Sequence, residues 1–359
     1  MNKKPDKYRI DSHKLIYHVS RLNDWGKGEN VYPLYMEVSP AGACNHRCTY
    51  CGLDFMEYQP RYLDTEVLKD RLTELGKLGL KSIMYAGEGE PLLHRDMPEL
   101  IKHTKSSGID VALTTNGVLL NKEITDDVLG DIEWIKVSIN GATSETYSKI
   151  HRSDPKDFDR VIENMTYAAK TKRENGYRTA LGMQLLLLPD NAHEAVLLAE
   201  KARDIGMDYL VVKPYSQHPQ SKTTVYSDVK YGEYEELSGE LEKVNTDSFR
   251  VIFRVNTMKK WDEGERNYSR CLALPFWSYI DAGGNVWGCS VYLGDDRFMY
   301  GNIYENSFKD IWESEKRMKS LKWVEEHLDS SECRVNCRMD EVNRYLWDLR
   351  NPPEHVNFI

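Results

Sequence analysis

Cys44, Cys48 and Cys51 stand in the order Cys-x-x-x-Cys-x-x-Cys within GACNHRCTYCGLD. Soft thiolates suit iron–sulfur centres, and three of them can hold three irons of a cubic [4Fe–4S] cluster. The run supplies no fourth cysteine, so one iron lacks a local protein ligand. An open iron can bind a small molecule and pass it an electron. Zinc is the alternative, but structural zinc sites usually pair one two-cysteine knuckle with a second. Three cysteines packed into eight residues do not divide that way.

Cys271, Cys289, Cys333 and Cys337 bring the total to seven. Three plus four is the number that one open and one fully ligated cluster require; a zinc ribbon is the competing reading for the second set. Between the two sets lies Gly87-Glu88-Gly89-Glu90-Pro91, a turn whose glycines let backbone approach a ligand closely. Polar groups end several apolar runs: Thr114, Thr115 and Asn116, then Ser138 and Asn140. Met183 and Gln184 could face a ligand, and so could Lys213, because a lysine in an apolar strand is usually paired or functional.

The elements that must position these groups alternate. Apolar or β-branched runs at 34–39, 81–87, 110–116, 134–140, 180–188 and 209–214 read as strands. Amphipathic segments at 65–79, 96–108, 122–132, 158–172 and 193–206 read as helices, the first with Val67, Leu68, Leu72, Leu75 and Leu78 at helical spacing and Thr65 as its N-cap. Buried strands alternating with helices imply an α/β fold with a parallel sheet. No dinucleotide fingerprint follows the first strand, so a partial (β/α)6 TIM-like barrel is preferred to a doubly wound sheet. Both architectures bind ligands at the C-terminal ends of their strands, where the cysteine loop sits. The expected organisation is an irregular lead-in over 1–32, the barrel over 33–258, a small cysteine-bearing module over 259–345 and a tail over 346–359. RVIFRV (250–255) could close the sheet edge.

The chain has 40% hydrophobic and 29% charged residues, as a soluble globular protein does. No stretch has the apolar length to span a bilayer, and MNKKPDKYRIDSHK lacks the apolar core of a signal peptide. Cytoplasmic residence is therefore expected, with the cysteines as metal ligands or thiols rather than disulfides. A net charge of −9 disfavours a nucleic-acid footprint, though not a small basic pocket.

The cysteine spacing, the 87–91 turn, IDAGGNVWGC (280–289) and YGNIYENSFKDIW (300–312) resemble the radical S-adenosylmethionine superfamily, SPASM/twitch-domain subfamily, over about residues 33–340. The resemblance implies a [4Fe–4S] cluster on Cys44, Cys48 and Cys51 whose open iron binds S-adenosyl-L-methionine, and an auxiliary [4Fe–4S] cluster on Cys271, Cys289, Cys333 and Cys337. It places Tyr50 against the adenine and Gly87, Glu88, Gly89 and Glu90 at the amino group, with Glu88 standing where the family has a glycine. Thr115, Asn116, Ser138 and Asn140 would bind ribose and carboxylate. Arg152 would supply the cation, with Lys149 or His151 behind it.

The implied chemistry begins with an external one-electron donor such as flavodoxin or ferredoxin. S-adenosylmethionine is cleaved to methionine and a 5′-deoxyadenosyl radical, which takes a hydrogen atom from the substrate. By resemblance to 2-deoxy-scyllo-inosamine dehydrogenase-like enzymes, that substrate is a small molecule, a sugar, cyclitol or nucleotide-linked sugar, undergoing net oxidation. Arg152 and Lys213 are the expected catalytic groups, with Glu57 and His218 as further candidates for the base. Epimerisation is the alternative, disfavoured because complete clusters would leave no free thiol. Ribosomal-peptide modification is another, disfavoured because 32 residues before the first strand are few for a peptide-binding domain. A non-enzymatic metal-bearing scaffold is the rival class.

Overall fold

A computed structural model describes residues 7–358; residues 1–6 of the lead-in and residue 359 of the tail lie outside it. Ten strands form one sheet in the order β10-β9-β8-β1-β2-β3-β4-β5-β6-β7. These are β1 (Tyr35–Val38), β2 (Ser82–Tyr85), β3 (Asp110–Thr115), β4 (Trp134–Ser138), β5 (Ala180–Leu187), β6 (Tyr209–Pro214), β7 (Arg250–Phe253), β8 (Trp277–Ile280), β9 (Asn285–Trp287) and β10 (Met299–Asn302). Strands β1 to β7 run parallel, each paired with the next. Among the described residues no pairing joins β7 to β10, so the barrel is open, and β7 extends its edge rather than closing it.

Tyr35 of β1 pairs with Ser82 on one side and, in parallel, with Trp277 of β8 on the other. The cysteine-bearing C-terminal module therefore continues the barrel's own sheet, adding β8 and then the antiparallel strands β9 and β10.

The helices are α1 (Val19–Gly26), α2 (Thr65–Lys77), α3 (Met97–Ser106), α4 (Lys122–Val128), α5 (Ser144–His151), α6 (Lys156–Asn175), α7 (Ala195–Ile205), α8 (Glu235–Glu242), α9 (Val255–Glu263), α10 (Phe308–Glu313), α11 (Glu315–His327) and α12 (Asp340–Arg350). Alternate strand residues point outward, among them Ile83, Tyr85, Val111, Leu113, Ile135, Val137, Leu210 and Val212. They pack on Leu68, Leu72 and Leu75 of α2, Leu100 and Ile101 of α3, and Met165 of α6, forming the main core. Met183 belongs to this outer face, not to the ligand side. The opposite set, including Glu37, Lys136, Gln184 and Lys213, lines the lumen. Its floor is plugged by Tyr8, Ile10, Trp134, Ala180, Tyr209, Val211 and Ile252.

Three local readings need correction. Asp64, not Thr65, caps α2: its carboxylate accepts from Val67 N (3.0 Å), while Thr65 Oγ1 donates to Asp96 (2.6 Å). The lead-in contains α1, and the boundaries drawn at 258 and 345 fall inside α9 and α12. Helix α5, absent from the sequence pattern, exists because Glu194 gathers its first turn. That carboxylate accepts from Ala142 N (2.6 Å), Thr143 N (3.1 Å), Thr143 Oγ1 (2.7 Å) and Thr146 Oγ1 (2.6 Å).

Burial alone would raise the Glu194 pKa, but these donors outweigh it and hold it below the ordinary glutamate value. A depressed folded pKa contributes stability above the unfolded value and loses it as pH falls through the folded one. Glu194→Ala is expected to lose about 1–3 kcal/mol at neutral pH, since several donors lose their acceptor. The deficit should shrink as pH falls below the ordinary glutamate value of about 4.3 and through the lower folded one, where the wild-type carboxyl protonates. Denaturant unfolding at pH 7 and across the acid range below about pH 4 measures both.

Candidate active site

Parallel strands bring their C-terminal ends to one rim. Leaving β1, the chain enters the cysteine loop there, and neighbouring backbone grips it on two sides. Arg47 N and Thr49 N donate to His151 O (3.1 Å) and Ile150 O (2.9 Å), using carbonyls that the end of α5 leaves unpaired. On the other side Glu90 N donates to Ala43 O (2.8 Å). Contact is so close that a Cβ on Gly89 would stand 1.9 Å from that oxygen. Only glycine fits.

The Glu90 carboxylate accepts from Thr115 Oγ1 (2.6 Å), Asn116 N (2.8 Å) and Leu92 N (3.1 Å), and Asn116 Nδ2 donates to Asn45 Oδ1 in the cysteine loop (2.6 Å). The expected residues Glu90, Thr115 and Asn116 are thus one buried network joining β2, β3 and the loop. Burial raises the Glu90 pKa against the pull of these donors.

Glu88 has another task. It accepts from Arg61 (2.7 Å) and from Ala282 N in the β8–β9 turn (3.0 Å), tying the 87–91 turn to the C-terminal module. At Gly87, where φ is 125°, a Cβ would meet Ser39 and the Tyr279 hydroxyl of β8.

Cys44, Cys48 and Cys51 lie close enough to raise one another's pKa, after burial, which acts most strongly; Cys44 is pushed to about 12. Metal binding must displace those protons. His46 N points at Cys44 Sγ (3.5 Å), and His151 Nδ1 lies 3.4 Å from Cys48 Sγ. His46, Cys48 and His151 together could hold a metal ion, with all three ligand atoms within 4.8 Å. His46 Nε2 is, however, already bonded to Asp157 (3.3 Å), and His151 Nε2 to Ile139 O (3.0 Å). Burial, then His46, lowers the His151 pKa to about 3.

The second set also converges: Cys289 feels Cys271, Cys337 and Cys333. Sulfur-directed donors surround it, with Val291 N at 3.4 Å from Cys289, Asn343 Nδ2 at 3.5 Å from Cys271 and Tyr292 Oη at 3.4 Å from Cys333. Such donors favour thiolates and orient ligands. Asn343 belongs to α12 and also accepts from Leu272 N and Ala273 N, so this helix supports the cysteines.

Tyr50 and Asn140 meet, Asn140 Nδ2 donating to Tyr50 Oη (2.5 Å), with Asn140 Oδ1 accepting from Leu186 N (2.6 Å). Ser138 faces the lumen beside Gln184 (3.5 Å). Lys213 faces the lumen too. Arg152 is the exposed left-handed cap of α5 (φ 48°) and lines, with Arg47, Cys48, Tyr58 and Lys222, an open cleft of about 340 Å³ beside the cysteine loop. Glu57 is exposed and paired with Lys222 (2.7 Å), and His218 bonds to Ser290 O (3.2 Å), so neither is poised as a base. Sequence reasoning missed Lys136, which carries the same signal as Lys213, and it left His151 as a reserve cation.

Residues 38–202 match the model of the radical SAM superfamily, and 271–338 match that of an iron–sulfur cluster-binding domain, SPASM. The chain carries a radical SAM domain and a SPASM domain. The GTP 3′,8-cyclase of Chlorobaculum tepidum is 29% identical over 193 residues, 51% of this chain and 55% of that protein. Just over half of the cyclase's length is thus matched. An AdoMet-dependent heme synthase of Methanosarcina barkeri is 25% identical over 303 residues, 79% of this chain and 83% of that protein. In fold, the chain is similar to Streptococcus suis SuiB, solved bound to the precursor peptide SuiA. There the TM-score is 0.64 at 17% identity, over 88% of this chain and 74% of that one.

A radical SAM domain followed by a SPASM domain implies a [4Fe–4S] cluster that binds S-adenosylmethionine, and auxiliary cluster binding. The two convergent thiol sets, with N–H groups aimed at their sulfurs, fit those groups. Among the described residues no helix is long and apolar enough to cross a membrane.

Because the Gly89–Ala43 contact is backbone to backbone, Gly89→Ala must displace the cysteine loop. The reconstituted variant is expected to lose about four of roughly eight irons per chain, keeping the auxiliary set. Iron and sulfide analysis checks this; wild-type stoichiometry would mean that the contact does not position the loop.

Proposed function

We propose that this radical SAM enzyme removes a hydrogen atom from a small molecule held in the barrel lumen, with net oxidation of that molecule. When bound, the cluster and S-adenosylmethionine supply the electron and the 5′-deoxyadenosyl radical. Cys44, Cys48 and Cys51 are the proposed ligands at the rim, and Cys271, Cys289, Cys333 and Cys337 those of the auxiliary cluster, which would accept the substrate's second electron. One observation supports the reading: three thiols gather in the loop after β1, and four more gather in the module whose strand β8 pairs with β1.

The chain's own residues then have distinct tasks. Glu90, with both oxygens engaged, acts as a positioning residue for the turn, leaving the turn's backbone carbonyls to receive the amino group of S-adenosylmethionine. Asn116 and Ser138 line the path for ribose and carboxylate, with Thr115 and Asn140, both buried and hydrogen-bonded within the wall, as positioning residues, and Tyr50, held by Asn140, offers an aromatic face to the adenine. Lys213 faces the substrate space, and Arg152 lines the cleft that Cys48 also borders. The barrel wall and the SPASM module exclude water from the radical.

A sugar, cyclitol or nucleotide-linked sugar is the substrate proposed from sequence resemblance. The relatives named above do not favour it, since their names give GTP, heme synthesis and a precursor peptide. A peptide is therefore the second reading.

The test is anaerobic: reconstituted protein, dithionite and S-adenosylmethionine, with 5′-deoxyadenosine quantified. Wild type is expected to form it, and Cys48→Ala to lose at least about a hundredfold, as misplaced reacting groups do. One zinc per chain with no cleavage would support the scaffold instead.

A further inference from the structure

The lumen gathers basic side chains that the protein's own carboxylates do not match. Lys213 feels Lys136, Arg254, Arg338 and Arg334, all cations. Of these, Arg338 pairs with Glu37 and Arg254 with Asp11 (3.2 Å). Arg334 meets only the carbonyl and hydroxyl of Ser216. Lys136 and Lys213 have no ion pair or hydrogen bond among the described residues; the one contact of Lys136 is the face of Trp134, 5.3 Å from its Nζ. Five cations therefore face two carboxylates.

Nor are the lysines set chiefly by the auxiliary cysteines: after burial, the charges that act most strongly on both are cations. Burial first, then Arg338 and Arg254, lowers the Lys136 pKa to about 7, and the same kinds of cause push Lys213 well down. Both lysines keep some accessible surface, and the Arg338 side chain is 45% accessible although protein surrounds it. Accessible cations deep in a molecule border a void. Partly accessible, unpaired lysines on the lumen side of β4 and β6, with Arg338 among the charges that act on both, suit a ligand with negative charge.

We propose that the substrate carries an oxyanion, carboxylate or phosphate, seated between Lys136 and Lys213 under Arg338. This deepens the reading of the lumen as the substrate chamber and rests on it. Arg338 follows Cys337 directly, so the anion would also fix the substrate's distance from the auxiliary cluster ligands.

The test uses reconstituted holoenzyme saturated with S-adenosylmethionine and titrated calorimetrically with inorganic pyrophosphate or with malonate. Saturable binding of one probe is expected, and the preferred probe distinguishes phosphate from carboxylate. Lys136→Met and Lys213→Met should each weaken that binding about tenfold or more, as loss of a charge-assisted bond does. Lys213→Arg should keep it. Both methionine variants should also raise the melting temperature, because each removes a buried, unpaired amine; a lower melting temperature would make the lysines structural and overturn the proposal. So would failure of both probes to bind, equal binding by the methionine variants, or binding seen only without S-adenosylmethionine, which would give the lysines to its carboxylate. Cleavage of S-adenosylmethionine by the wild type, followed in parallel, separates failure of this proposal from failure of the enzyme reading.

Discussion

The site depends on how an irregular loop is kept in register with the sheet rim. Residues 39–53 have no regular hydrogen-bond ladder of their own, yet they must present three thiols to a single cluster. Backbone contacts solve this. Glu90 N holds Ala43 O from the β2 side, while the end of α5 takes Arg47 N and Thr49 N. A net backbone hydrogen bond is worth only about 0.5–1.5 kcal/mol, but leaving a buried partner unmade costs more. Three such bonds on opposite sides therefore specify position more than they add stability. Glu194 belongs to the same constraint one step removed, because it fixes the start of the helix whose end grips the loop.

Strand β1 extends the constraint to the whole molecule. Its two edges pair in parallel with β2 of the barrel and β8 of the SPASM module, so the root of the cysteine loop is registered against both. Glu88 makes a second tie, from the S-adenosylmethionine turn to Ala282. A glutamate where the family has glycine looks like a defect in the motif. Its partners explain it: the carboxylate points away from the turn's ligand side and locks the auxiliary module to the turn, with Arg61 neutralising its charge. Cofactor turn and auxiliary cysteines are then parts of one rigid wall.

Much of this was legible in the sequence, for physical reasons. The six strands and five helices come from strong periodicity, and the cysteine spacings state their own chemistry. Helix α5 was hidden because its eight residues are short and polar and are started by Glu194, which lies some fifty residues away. Helix α12 was cut at 345 since its role, holding Cys271 through Asn343, is a tertiary contact without a local signature. Nearness in sequence points to Arg152, and its left-handed cap conformation sets it in the cleft that Cys48 lines. Lys136 was readable by the rule that singled out Lys213: a lysine alternating with Ile135 and Val137 must face the other side of the sheet from them.

That alternation gives the lumen its meaning. An acidic chain of net charge −9 could have lined its barrel with neutral side chains, as packed barrel interiors are. Instead β4 and β6 each turn a lysine inward, and the loop after Cys333 adds two arginines. Unpaired charge in an enclosed space destabilises the fold, and selection keeps such groups where function needs them. Structural use would require carboxylate partners, and neither lysine has an ion pair among the described residues, Glu37 near Lys136 being already paired with Arg338; of the auxiliary thiols, Cys337 acts on Arg334 and Arg338. What is left is a ligand that brings the missing negative charge with it. The surrounding acidic surface would repel such a ligand weakly through screened solvent, whereas the low-dielectric lumen attracts it strongly once inside.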